Sequence, residues 1–125
     1  MALIIVVDDD APIRLVLREI LERMGHTVLE AGDGEACFRH FTSVCPNLVI
    51  TDLFMPGKEG LETIFELKDN WPDIRIIAMS GGRPGAPDYL KLAQGLGADR
   101  ILHKPLSAGL VFRAVNALLP EFLLS

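Results

Sequence analysis

Short apolar runs alternate strictly with stretches of helical period, and this limits the possible folds more than any other feature. Leu3 to Val7, Val28 to Ala31, Leu48 to Thr51, Ile74 to Met79 and Ile101 to His103 are predicted strands. Their near-continuous apolar character suits strands covered on both faces, as in a parallel sheet. The first helical stretch carries Ile13, Val16, Leu17, Ile20, Leu21 and Met24 at i, i+3, i+4, i+7 spacing. Asp10 and Pro12 mark its start and Gly25 its stop. Further helices are predicted over Gly34 to Phe41, Gly60 to Asn70 (ended by Trp71-Pro72) and Asp88 to Leu96 (ended by Gly97). A last one carries Leu110, Val111, Ala114, Val115 and Leu118, and Pro120 closes it.

Five βα repeats predict an α/β fold, a doubly wound five-stranded parallel sheet with helices on both faces. The expected order is the flavodoxin-like 2-1-3-4-5, which places ligands beyond the carboxyl ends of the strands. The 125 residues fit one domain, residues 1–125. A net charge of -5 argues against direct nucleic-acid binding through a basic face. Nothing approaches the roughly 18 apolar residues of a membrane span. The start MALIIVVDDD lacks the basic region of a secretion signal. Cys37 and Cys45 have no CxxC spacing and read as reduced thiols in a cytoplasmic protein, with Cys37 a packing residue. His26, His40 and His103 are scattered, without a metal or base partner in sequence.

Polar residues gather at the predicted carboxyl ends: Asp8 and Asp9 after the first strand, Asp52 after the third, Ser80 after the fourth and Lys104 after the fifth. Each alone is ordinary, a turn former or a helix cap. The sheet order brings them to one edge, where clustered carboxylates repel unless a cation joins them. Oxygen-only ligands suit Mg²⁺. Asp8 and Asp9 read as half of such a site, with Asp10 nearer the helix cap. A carboxylate nucleophile beside an ammonium and a hydroxyl is the outline of a phosphoryl-transfer site.

The motifs IIVVDDDAPIR, LVITDLFMPGKEGLE, IIAMSG and LHKPL run across nearly the whole chain, which resembles the receiver domain of two-component response regulators. The resemblance implies Asp52 as phospho-acceptor. It implies Mg²⁺ held by Asp9, Asp52 and the main-chain carbonyl of Phe54, with Asp8 acting through a water. Lys104 would hold a phosphoryl oxygen, Ser80 would turn toward the phosphoryl group, and Pro105 would be a cis-proline aiming Lys104 inward. The partner would be a sensor histidine kinase or phosphotransfer protein. A further effector, whose identity the sequence leaves open, or a second copy of the chain would meet the face of helix 4, strand 5 and helix 5. No membrane partner is implied. The chain would be no enzyme beyond catalysing its own phosphorylation and dephosphorylation.

Three features depart from the family pattern. Met55-Pro56 is followed by Gly57-Lys58-Glu59-Gly60, which puts a cation near the pocket mouth. Ile101 replaces the usual aromatic switch residue, so the response is expected to centre on the loop from Gly81 to Pro87. The stretch SGGRPGAPDY after the fourth strand is longer than usual and rich in Gly and Pro, so helix 4 is expected to be short or mobile there. By the resemblance, the Phe54 and Gly82 positions would flank the path of a hydrolytic water, and neither offers it a polar side chain, so a long-lived phosphoryl group is expected. Two alternatives stand beside this reading. One is a receiver cut from a longer regulator with an output domain. The other is a haloacid-dehalogenase-like Mg²⁺ phosphohydrolase with Asp8 as nucleophile.

Overall fold

The computed structural model describes residues 1–54, 60–81 and 89–122. In chain order the elements are β1 (Leu3–Val7), α1 (Ala11–Arg23), β2 (Thr27–Ala31), α2 (Gly34–His40) and β3 (Leu48–Asp52), then α3 (Gly60–Asn70), β4 (Arg75–Ser80), α4 (Tyr89–Leu96), β5 (Arg100–His103) and α5 (Ala108–Leu118). A short 3-10 turn, Pro120–Phe122, follows. The strands form one parallel sheet in the order β2-β1-β3-β4-β5, as the alternation predicts.

Both faces of the central strands are covered, which explains their unbroken apolar runs. Ile4, Val6, Ile50, Ile77 and Met79 pack with Leu17 and Leu21 of α1 and Val111 and Val115 of α5. The alternate residues Ile5, Val7, Val49, Ile76 and Ala78 pack on the other side with Ile64 and Leu67 of α3 and Ala93 of α4. Each buried aliphatic side chain contributes about 1.5–3 kcal/mol by leaving water. The buried stripes are narrower than the sequence period suggests: Val16 and Leu110 are 45% and 49% exposed.

Element ends differ from the sequence reading by a residue or so, and the ladder gives the reason. Backbone pairing does not discriminate against polar side chains, so Asp52 pairs with Met79, Ser80 with His103 and Thr27 with Leu3. Both Asp52 and Ser80 are therefore the last residues of strands rather than loop residues. Ile74 stands outside β4, its N–H held by the Trp71 carbonyl at 3.0 Å. Asp10 occupies the N-cap position of α1, with Pro12 in the first turn, but its carboxylate caps nothing. Its own N–H donates to Asp8 Oδ1 at 2.9 Å instead. Gly25, at φ +93°, follows α1 and supplies the left-handed turn a helix stop favours. Among the described residues no helix is long and apolar enough to cross a membrane. Asp88, the predicted start of the fourth helix, lies outside the described residues.

Candidate functional site

The carboxyl edge of the sheet converges at β1, β3 and β5. The Asp8 N–H continues the β1–β2 ladder by donating to the Ala31 carbonyl at 3.1 Å, which draws Asp8 inside. Its side chain is fully buried, whereas Asp9 and Asp10 are exposed. Asp52 is 5% exposed, and its Oδ1 accepts from the Leu53 N–H at 3.0 Å. One carboxylate oxygen from each of Asp8, Asp9 and Asp52 lies within 4.8 Å of the others. Three carboxylate oxygens so arranged fit a hard divalent cation such as Mg²⁺.

Lys104 reaches this cluster because the β4–β5 ladder runs one residue further: its N–H donates to the Ser80 carbonyl at 2.8 Å. The Lys104-Pro105 peptide bond is cis. The ammonium stands 2.6 Å from Asp8 Oδ2 and 3.6 Å from Asp52 Oδ1. An internal cation thus offsets part of the repulsion that the sequence places here. Burial pulls the Lys104 pKa down, but the hydrogen bond to Asp8 and the charges of Asp52 and Asp8 outweigh it and raise it above its ordinary value. Burial lifts the Asp52 carboxyl above the usual carboxylate range, aided by the Asp8 charge and opposed by Lys104 and the Leu53 and Phe54 N–H groups.

Ser80 is buried at the end of β4. Phe54 is 49% exposed two residues beyond Asp52. Ile101 is half-buried in β5, paired with Ala78. Pro105 is exposed beside Lys104. Gly82, Lys58 and the loop through Pro87 lie outside the described residues. His26 is buried, with Nδ1 accepting from the Ala2 N–H at 3.1 Å. His40 Nε2 meets the Glu30 carbonyl at 2.8 Å, and His103 is exposed. Cys37 is buried, which pushes its thiol up to about 12, while Cys45 is exposed.

Two features near the site escape a reading of the sequence. Gly60, the first residue of α3, packs so closely that a Cβ there would stand 2.1 Å from the Asp52 carbonyl oxygen. Arg14 of α1 donates to the Asp8 carbonyl at 2.6 Å and pairs with Glu30 of β2 at 3.0 Å. Arg14 belongs to the first quoted motif, but no spacing rule points from it to a residue on the edge strand.

Comparison with known proteins shows the family. Residues 4–116 match the family model described as the response regulator receiver domain. The DNA-binding transcriptional regulator NtrC of Azospirillum brasilense is 37% identical over 95% of this chain, which spans 25% of that protein. Sporulation initiation phosphotransferase F of Bacillus subtilis is 31% identical over 94% of this chain and 93% of its own length. A receiver domain protein from Clostridium thermocellum superposes along 100% of both chains with a TM-score of 0.85 and 34% identity. By sequence and by fold, the chain belongs to the response regulator receiver domain family.

Proposed function

We propose that this receiver accepts a phosphoryl group on Asp52 from the phosphohistidine of a sensor histidine kinase or phosphotransfer protein in the cytoplasm. The observation that carries the reading is the Lys104 ammonium 3.6 Å from Asp52 Oδ1, beside three clustered carboxylates. An Asp52 oxygen attacks phosphorus and forms the P–O bond. The P–N bond of the donor breaks, and its electron pair returns to the imidazole nitrogen, which takes up a proton. Lys104 holds a phosphoryl oxygen through a charge-assisted hydrogen bond. Ser80, at the end of the adjacent strand, turns toward the transferred group. Asp9, Asp52 and the Phe54 carbonyl would hold Mg²⁺, with Asp8 reaching it through a water; bound there, the ion neutralises phosphoryl charge.

Asp8 is a poor alternative nucleophile, since Oδ2 is tied to Lys104 and Oδ1 to the Asp10 N–H. This weighs against the phosphohydrolase reading. Signalling through the face of α4, β5 and α5 is supported by exposed Leu92, Leu110 and Phe112. With Ile101 in place of a ring, the response on that face is small.

The test is incubation with acetyl phosphate and Mg²⁺ followed by intact mass. One hydroxylamine-labile phosphoryl group is expected on wild type and none on Asp52→Asn. Unimpaired labelling of Asp52→Asn refutes the assignment.

A further inference from the structure

We infer that Arg14 is a positioning residue for the cation pocket, held in place by Glu30; the inference rests on the reading of that pocket as a Mg²⁺ site. Arg14 lies in the first turn of α1, its N–H bonded to the Asp10 carbonyl at 3.2 Å. Its guanidinium uses two edges at once. Nη1 donates to the Asp8 carbonyl at 2.6 Å, and Nε donates to Glu30 Oε1 at 3.0 Å. The second oxygen of Glu30 accepts from Arg18 Nε at 2.8 Å. Hydrogen bonds from Arg18 and Arg14, with their charges, hold the Glu30 carboxyl below its ordinary pKa although burial opposes them.

The Asp8 carbonyl belongs to the peptide that joins Asp8 to Asp9. The preceding peptide is already fixed, because the Asp8 N–H is bonded to Ala31 at 3.1 Å. Arg14 fixes the following one. Rotation of that plane would swing the Asp9 side chain, whose oxygen must stay with those of Asp8 and Asp52 to share one ion. The planar fork of arginine can hold a carbonyl and a carboxylate in one fixed relation. Groups that orient ligands from behind in this way change metal affinity by roughly 10- to 100-fold when removed.

Charge alone predicts the opposite sign. A guanidinium beside a cation pocket repels the cation, so its removal should tighten binding. The partner Glu30 offsets that charge while leaving the fork in place. Positioning and electrostatics are therefore separable by one measurement.

The experiment is Mg²⁺ titration calorimetry on wild type, Arg14→Gln and Arg14→Lys, well below their unfolding temperatures. Arg14→Gln is expected to bind Mg²⁺ roughly tenfold more weakly. Arg14→Lys, which keeps the charge but cannot bridge the carbonyl and Glu30 together, is also expected to bind more weakly and serves if Arg14→Gln does not fold. In metal-free protein, the Asp9 amide resonance should move in both variants. Binding as tight as wild type, or tighter, overturns the inference, as does a lowered melting temperature with unchanged affinity. Wild type that binds no Mg²⁺ overturns the inference together with the reading it rests on; normal wild-type binding that ignores Arg14 overturns the inference alone.

Discussion

Gly60→Ala would place one methyl group where the backbone of β3 already stands. The added Cβ would lie 2.1 Å from the Asp52 carbonyl oxygen, 2.5 Å from Leu53 Cα and 2.9 Å from the Asp52 carbonyl carbon. Carbon atoms are at ease near 3.5–4.0 Å, so contacts this short cannot be absorbed by a rotamer change. All three atoms are main chain, and the hydrogen bond from Gly60 N–H to the Leu53 carbonyl at 3.2 Å ties α3 to them. The start of α3 must therefore move away from the sheet and disturb the packing of Ile64 and Leu67. Overpacking of this kind costs about 3 kcal/mol at the upper end of its usual range. Alanine returns up to about 1 kcal/mol through its better helix propensity. The net loss is about 2 kcal/mol, or roughly 8 °C in melting temperature for a domain of this size. Because the clash is with the main chain of Asp52 itself, labelling by acetyl phosphate should slow as well. Urea unfolding followed by circular dichroism measures the first effect and intact mass the second. Wild-type stability and wild-type labelling in Gly60→Ala would show that the close approach of α3 to β3 is not required.

Lys104→Met removes the countercharge of a fully buried Asp8, and in EDTA it should cost about 3 kcal/mol in urea unfolding. Mg²⁺ should return part of that loss, since it neutralises the same carboxylates; an undiminished stability in EDTA would show that the ion pair does not offset its desolvation. His26 has its pKa lowered first by burial and then by the positive amino terminus, so in the folded chain it stays neutral below the ordinary 6.5. The unfolded chain then binds the extra proton, and stability should fall as pH drops below 6.5, an effect that His26→Gln should abolish in paired urea titrations. Phe54→Asn should speed loss of the phosphoryl group severalfold by offering a polar hold to the attacking water, with Mg²⁺ affinity unchanged. A flat or slower decay by intact mass would show that Phe54 does not shield the group.

The architecture is legible in the chain, because the apolar period is a local property. Runs such as Ile4 to Val7 and Leu48 to Ile50 suit strands covered on both faces, and the helical stripes between them supply the cover. Strict alternation and right-handed crossovers then leave one edge where Asp8, Asp9, Asp52, Ser80 and Lys104 can meet. Their residue types, read together, carry the resemblance to the receiver family. Packing of the folded chain set what depends on distance between separate segments. It placed the Lys104 ammonium among the carboxylates as their internal countercharge, and it separated buried Asp8 from exposed Asp9 although the two are adjacent. It set Glu30 within reach of Arg14 through the β1–β2 pairing, where Val6 faces Glu30 across the ladder. It also pressed Gly60 against the end of β3. None of these has a period or a spacing in the chain: each is a contact between elements whose approach is fixed only when the two cores on either side of the sheet are packed.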